Sequence, residues 1–206
     1  MDTTLRDGEQ TSGVSFTFDE KLSMAKLLLE DIKVDRLEIA SARVSEGERE
    51  AVRKIAAWAT KNHDLEKIEV LGFVDNHASI DWISDAGCKV INLLTKGSLN
   101  HCKHQLKKTL KQHVEDIKLE LAYAAKKGVA VNIYLEDWSN GMRDSKEYVF
   151  EMVDALQNEN IVRYMLPDTL GILGPDESYE FCKAMKERYP NLNFDFHAHN
   201  DYDLAS

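Results

Sequence analysis

Short runs of β-branched and apolar residues return about every 30 residues along this chain, separated by longer amphipathic stretches, at the spacing of a strand–helix–strand unit. The runs cover residues 2–5, 35–40, 68–73, 89–94, 129–135, 161–166 and 192–197. They are nearly continuous in apolar character, as parallel strands covered on both faces must be. Between them the period changes to that of a helix: Leu22, Ala25, Leu28, Leu29 and Ile32 fall on one face, as do Val52, Ile55, Ala56 and Ala59, and again Tyr179, Cys182, Met185 and Tyr189. Asp19 and Pro175 read as helix-start signals.

This rhythm predicts an α/β fold, a (β/α)8 TIM barrel. A full barrel needs ~250 residues, so a chain of 206 residues is expected to stop after about the seventh strand. Residues 1–206 then form one incomplete barrel domain, without an eighth strand and with an unclosed sheet edge. A doubly wound open sheet has a similar rhythm, but no GxGxxG or Walker loop follows the first run.

Composition narrows the partners. A net charge of −10 argues against nucleic acid and against an anionic membrane surface. No apolar run approaches the ~20 residues of a membrane span, and no charged segment followed by an apolar one opens the chain. Cys88, Cys102 and Cys182 are odd in number and widely spaced, which suits reduced thiols in a cytoplasmic protein better than a disulfide framework.

The polar residues gather where the apolar runs finish. These ends read Arg6-Asp7, then Glu38 with Ser41, then Asp75 and His77, and then Leu94-Thr95-Lys96. The later ones are Tyr134-Leu135-Glu136-Asp137, Pro167-Asp168-Thr169 and His197-Ala198-His199-Asn200-Asp201. Barrel enzymes build their sites from the carboxyl ends of several strands at once, although ordinary polar loops give a similar pattern.

His197 and His199, two apart on a strand, project from one face. With a carboxylate from Asp7 they make a donor set for Mn²⁺, Mg²⁺, Zn²⁺ or Fe²⁺ that leaves positions open for substrate; a structural histidine pair is the plainer alternative. Arg6 stays charged and suits an oxyanion, or an ordinary ion pair. Glu136 shares a face with Tyr134 and suits either a general base or a supporting role. Thr169 suits a carboxylate contact or a simple turn. Lys103, Lys107, Lys108 and Lys111 read first as a solvated helix face and second as a contact for phosphates of coenzyme A.

DTTLRDGEQTSGVSF and FHAHNDYDLA resemble the two signatures of the isopropylmalate, homocitrate and citramalate synthase family within the DRE-TIM metallolyases. The resemblance covers essentially the whole chain and implies that residues 1–206 are an incomplete catalytic barrel domain, its eighth strand and a C-terminal regulatory region absent. It implies a divalent metal ion held by Asp7, His197 and His199, with Arg6 as electrophilic catalyst and Thr169 on the carboxylate of a 2-oxo acid. It implies acetyl-CoA as co-substrate, condensed with the oxo acid in an acyltransferase reaction, and a homodimer for the full-length protein.

EIASARVSEGE, VLGFVD, NLLTKGSL and NIYLEDWSNG most resemble bacterial (R)-citramalate synthases. That resemblance implies a small acceptor pocket at Leu71, Leu94 and Tyr134, selecting pyruvate for isoleucine biosynthesis. The alternative acceptor is 2-oxoisovalerate, as in 2-isopropylmalate synthase of leucine biosynthesis. Further alternatives are a lyase or aldolase of the same superfamily and a non-catalytic metal-binding remnant.

Overall fold

The computed structural model describes residues 1–204, so Ala205 of the second signature lies outside the described residues. The chain packs as two compact units, Met1–Asn92 with Tyr123–Ala130, and Leu93–Ala122 with Val131 onward. Six parallel strands follow chain order, with helices in the connections, which is the repeating β/α order of a (β/α)8 barrel. Among the described residues no helix is long and apolar enough to cross a membrane.

In the first unit, α1 (Phe18–Lys26) starts one residue after Thr17, not at Asp19. Thr17 and Glu20 form a reciprocal capping box: Glu20 N–H donates to the Thr17 hydroxyl at 3.3 Å, and Thr17 N–H donates to the Glu20 carboxylate at 2.7 Å. The helix runs on as a π-helical segment, Leu27–Ile32, ended by Lys33 with a positive φ of 62°. The i→i+5 pattern breaks the helical phase. Ala25 and Leu29 stay buried, but Ile32, expected on the same face, is 61% exposed.

β1 (Leu37–Ser41) is followed by α2 (Glu46–Lys61), capped by Ser45, with Val52, Ile55, Ala56 and Ala59 all buried as their spacing requires. β2 (Ile68–Phe73) pairs with β1 in parallel, placing Glu38 opposite Glu69, and α3 (Ala78–Asp85) follows. The expected strand at residues 2–5 is not formed. Only one bridge, Asp2 to Leu37, pairs there. The Asp2 carboxylate accepts the Thr4 N–H at 2.9 Å and the Thr4 hydroxyl at 3.2 Å, a local turn that competes with strand pairing. The chain then coils so that Arg6, Asp7 and Gly8 all donate their N–H to the Thr3 carbonyl. Among the described residues, six strands therefore stand where seven runs were read.

β3 (Val90–Lys96) begins in the first unit and ends in the second. It is followed by α4 (Leu99–His104), α5 (Leu110–Lys127), β4 (Ala130–Glu136), α6 (Trp138–Asp144) and α7 (Lys146–Leu156). β5 (Arg163–Asp168), α8 (Pro175–Arg188) and β6 (Phe194–Ala198) complete the second unit. β4, β5 and β6 are paired in parallel, with Tyr134 opposite Met165 and Pro167 opposite His197.

Pro175 is the first residue of α8. The buried stripe lies toward its C-terminal end: Met185 in the helix and Tyr189 just past it are buried, whereas Tyr179, expected beside them, is 63% exposed. All three cysteines are free thiols, and burial pushes that of Cys88 up to about 12. The lysine-rich stretch is not one helix. Lys103 lies in α4, Lys111 in α5, and Lys107 and Lys108 in the link between them, where Lys108 pairs with Asp116 at 2.5 Å.

Candidate functional site

In the first unit the coil after Asp2 delivers two neighbouring functional groups, Arg6 and Asp7. The Arg6 guanidinium donates through Nη1 to the Asp7 carboxylate at 2.6 Å and through Nε to Glu38 at 2.5 Å. Glu38 sits inside β1 with no exposed surface, and its second oxygen accepts the Asn92 amide at 2.7 Å. Burial pushes the Glu38 carboxyl upward, while the Arg6 charge and the Asn92 and Arg6 hydrogen bonds oppose that rise. A buried carboxylate needs such partners, because desolvation without pairing costs several kcal/mol. The reciprocal effect is that Arg6 has its Nε anchored and one face of its fork fixed. Leu71, from β2, is buried in the same unit.

In the second unit β6 presents His197, while His199, expected on the same strand, follows just past its end; both are half-buried, with ring centroids 5.0 Å apart. The Tyr134 hydroxyl, from β4, lies 3.3 Å from His197 Nδ1, the rings meeting edge to face at 78°. Tyr134 itself is buried and Leu94 of β3 half-buried. Thr169, just beyond β5, accepts the Asp137 N–H on its hydroxyl oxygen at 2.9 Å, so its own proton is the group left to donate. Glu136 stands at the end of β4 and is ion-paired with Lys96 at the end of β3.

Asp168, which ends β5, serves the backbone, accepting the Leu173 N–H at 2.9 Å. Asp137, after β4, is equally committed. It accepts Ser98 at 2.6 Å and Asn140 at 2.8 Å, with His101 Nε2 at 3.4 Å. In the first unit Asp75 plays a similar part, taking the Arg43 guanidinium and the Ser79 N–H, while His77 stacks on Tyr123 with ring centroids 4.1 Å apart.

Glu38, Asn92 and Lys96 carry no assigned role in the sequence reading: Asn92 is not named there, and Glu38 and Lys96 appear only among the polar strand ends. For the first two a signal existed, since a Glu in LEIAS and an Asn in VINLLTK interrupt strands that are otherwise apolar. A polar residue buried in such a run needs a partner.

With this geometry established, the HMGL-like family model matches residues 1–206. The chain belongs to the HMGL-like family. Among curated members, a protein described as a putative (R)-citramalate synthase from Methanopyrus kandleri is 32% identical over the whole chain, which covers 39% of that relative. A 2-isopropylmalate synthase from Caldanaerobacter subterraneus is 31% identical, again over the whole chain and 51% of the relative. A homocitrate synthase from Sulfolobus acidocaldarius is 31% identical, with 43% of it covered. The chain thus spans from about two-fifths to half the length of these HMGL-like relatives. Among solved structures, hydroxymethylglutaryl-CoA lyase from Pseudomonas aeruginosa superposes with a TM-score of 0.78 at 17% identity, covering all of this chain and 69% of that one. At that identity the likeness speaks for the shared HMGL-like fold.

Proposed function

We propose that this chain carries the acceptor-binding and catalytic part of an enzyme that condenses acetyl-CoA with a 2-oxo acid, with pyruvate as the acceptor and (R)-citramalate as the product. The observation that carries the reading is the Arg6–Glu38–Asn92 arrangement: a charged guanidinium held rigid by a fully buried carboxylate, directly beside the Asp7 carboxylate. Such an investment of buried charge is costly for stability alone and suits a group that must meet a developing oxyanion without reorganising.

Asp7, His197 and His199 are the proposed holders of a divalent metal ion, each offering one ligand atom. Two imidazoles and a carboxylate suit Mn²⁺, Mg²⁺ or Zn²⁺ and leave coordination positions open. With Nδ1 of His197 engaged by Tyr134, the ligand atom on that ring would be Nε2. When bound, such an ion supplies Lewis-acid polarisation of the acceptor's keto oxygen.

The protein's own groups do the rest. Thr169 donates its hydroxyl proton to the acceptor's carboxylate. Glu136 takes a methyl proton from acetyl-CoA, and the carbon so released attacks the keto carbon. Arg6 holds the alkoxide that forms, and hydrolysis of the thioester then frees coenzyme A. Leu71, Leu94 and Tyr134 bound the acceptor's side chain, leaving room for a methyl group; forcing a larger group into a packed wall costs ~1–3 kcal/mol.

A second reading, 2-oxoisovalerate as acceptor, is favoured by the 2-isopropylmalate synthases among the relatives. Release of the coenzyme A thiol, measured on the metal-loaded full-length protein with each acceptor in turn, separates them. The expected result is a higher kcat/KM for pyruvate. A preference for 2-oxoisovalerate would discard the pocket assignment, and no release with any 2-oxo acid would remove the synthase reading.

A further inference from the structure

Lys96 is held as few strand-end residues are. Its N–H donates to Nε2 of the buried His113 at 3.1 Å, and its carbonyl accepts the Tyr148 hydroxyl at 2.9 Å. The next residue, Gly97, donates its N–H to the Glu136 carbonyl at 2.7 Å, and a Cβ at Gly97 would run into the backbone of Leu135. The end of β3 is therefore held by side chains of α5 and α7 and tied to that of β4 by a backbone hydrogen bond. Out of this clamp the Lys96 ammonium reaches the Glu136 carboxylate, with both side chains largely shielded from water.

We propose that Lys96 is a positioning residue that holds the Glu136 carboxylate aimed for proton abstraction. This rests on the reading of Glu136 as the base. In the step concerned, a C–H bond of the acetyl methyl breaks and an O–H bond forms on Glu136, while the electron pair passes to the thioester enolate. A base must stand within hydrogen-bond reach of the proton it takes, and an ammonium whose own backbone is clamped restrains the carboxylate it meets in that place.

Other titratable groups stand on the surrounding elements. His113 on α5 is held neutral by burial. His101 on α4 and Asp137, next to Glu136, are engaged with each other. Asp168 ends β5 and is tied to the Leu173 N–H. Tyr148 on α7 donates to the Lys96 carbonyl, and His197 on β6 meets Tyr134. Lys96 is the cation in contact with the Glu136 carboxylate.

The test compares Lys96→Met, Lys96→Arg and Glu136→Gln in the full-length, metal-loaded protein, following kcat and the KM for each substrate. Lys96→Met should lower kcat by ~10–100-fold, the scale of a misplaced catalytic group, leaving the KM for the oxo acid nearly unchanged. Lys96→Arg should recover most of the lost kcat. An unchanged kcat in Lys96→Met overturns the proposal. So does an Arg variant as slow as the Met variant, which also decides the matter should Lys96→Met fail to fold. Undiminished turnover in Glu136→Gln at saturating substrates would instead remove the base assignment itself.

Discussion

His113 ties the stability of the second unit to pH in a way that can be worked out in advance. Burial disfavours the charged imidazole and carries its pKa from 6.5 to about 4; Asp116 pulls the other way, and Lys108 and Lys96 add a smaller repulsion. The folded value lies below the unfolded one, so the unfolded chain takes up the proton first as pH falls. The stability contributed is complete above about pH 6.5 and is lost as pH drops toward 4. At 1.36 kcal/mol per unit the whole shift amounts to ~3 kcal/mol, of which ~2 kcal/mol should disappear between about pH 7 and pH 4.5.

Replacing His113 by Gln removes the titration and keeps an oxygen able to accept the Lys96 N–H. Urea unfolding followed by circular dichroism at the two pH values should show the parent losing ~2 kcal/mol more than His113→Gln. Parallel losses in the two proteins would refute the assignment of a neutral, buried His113.

Leu94→Ala should raise the activity ratio of 2-oxoisovalerate to pyruvate, measured as coenzyme A release, by about ten-fold, the equivalent of ~1.4 kcal/mol of relieved crowding; an unchanged ratio would remove Leu94 from the acceptor pocket. Tyr134→Phe takes away the hydroxyl on His197 Nδ1 and should weaken Mn²⁺ binding by calorimetry ~10-fold or more, the usual scale for losing a partner of a ligating histidine; unchanged affinity would leave Tyr134 no orienting role. Thr17→Ala removes half of the capping box on α1 and should cost ~1 kcal/mol in chemical denaturation; a cost near zero would mean the cap is already satisfied by water.

The strand at Ile68–Phe73 was legible to the residue, and five others were found with their ends displaced by one or two positions. The displacement has a direction. The runs at 89–94, 129–135 and 161–166 end before Thr95, Glu136 and Pro167, whereas backbone pairing continues through Lys96, Glu136 and Asp168. Those residues belong both to a strand and to the region where chemistry is expected. The first run failed because a side chain two residues away competes for the backbone, a local contest that composition does not reveal. The π-helical segment was hidden for a related reason: Ile32 is as apolar as Leu29, and only the hydrogen-bond pattern turns it outward.

Among the proposed site residues, Arg6, Asp7, His197 and His199 lie in recognisable short motifs and were named from the sequence. Glu38 and Asn92 stand 32 and 54 positions away from their partners, Arg6 and Glu38 respectively, and no local pattern couples such distances. The same holds for Lys96 and Glu136, 40 positions apart.

The support of Arg6 from β1 and β3 bears on how relatives of this chain should be compared. A protein could keep DTTLRDGEQ letter for letter and still lose the rigid guanidinium if Glu38 became a neutral residue. Transplanting the motif into another barrel would fail in the same way unless the buried acid and its amide travelled with it. Three separated positions thus behave as one inherited unit, and a homologue lacking the acid should be suspected of different chemistry however well its opening segment aligns.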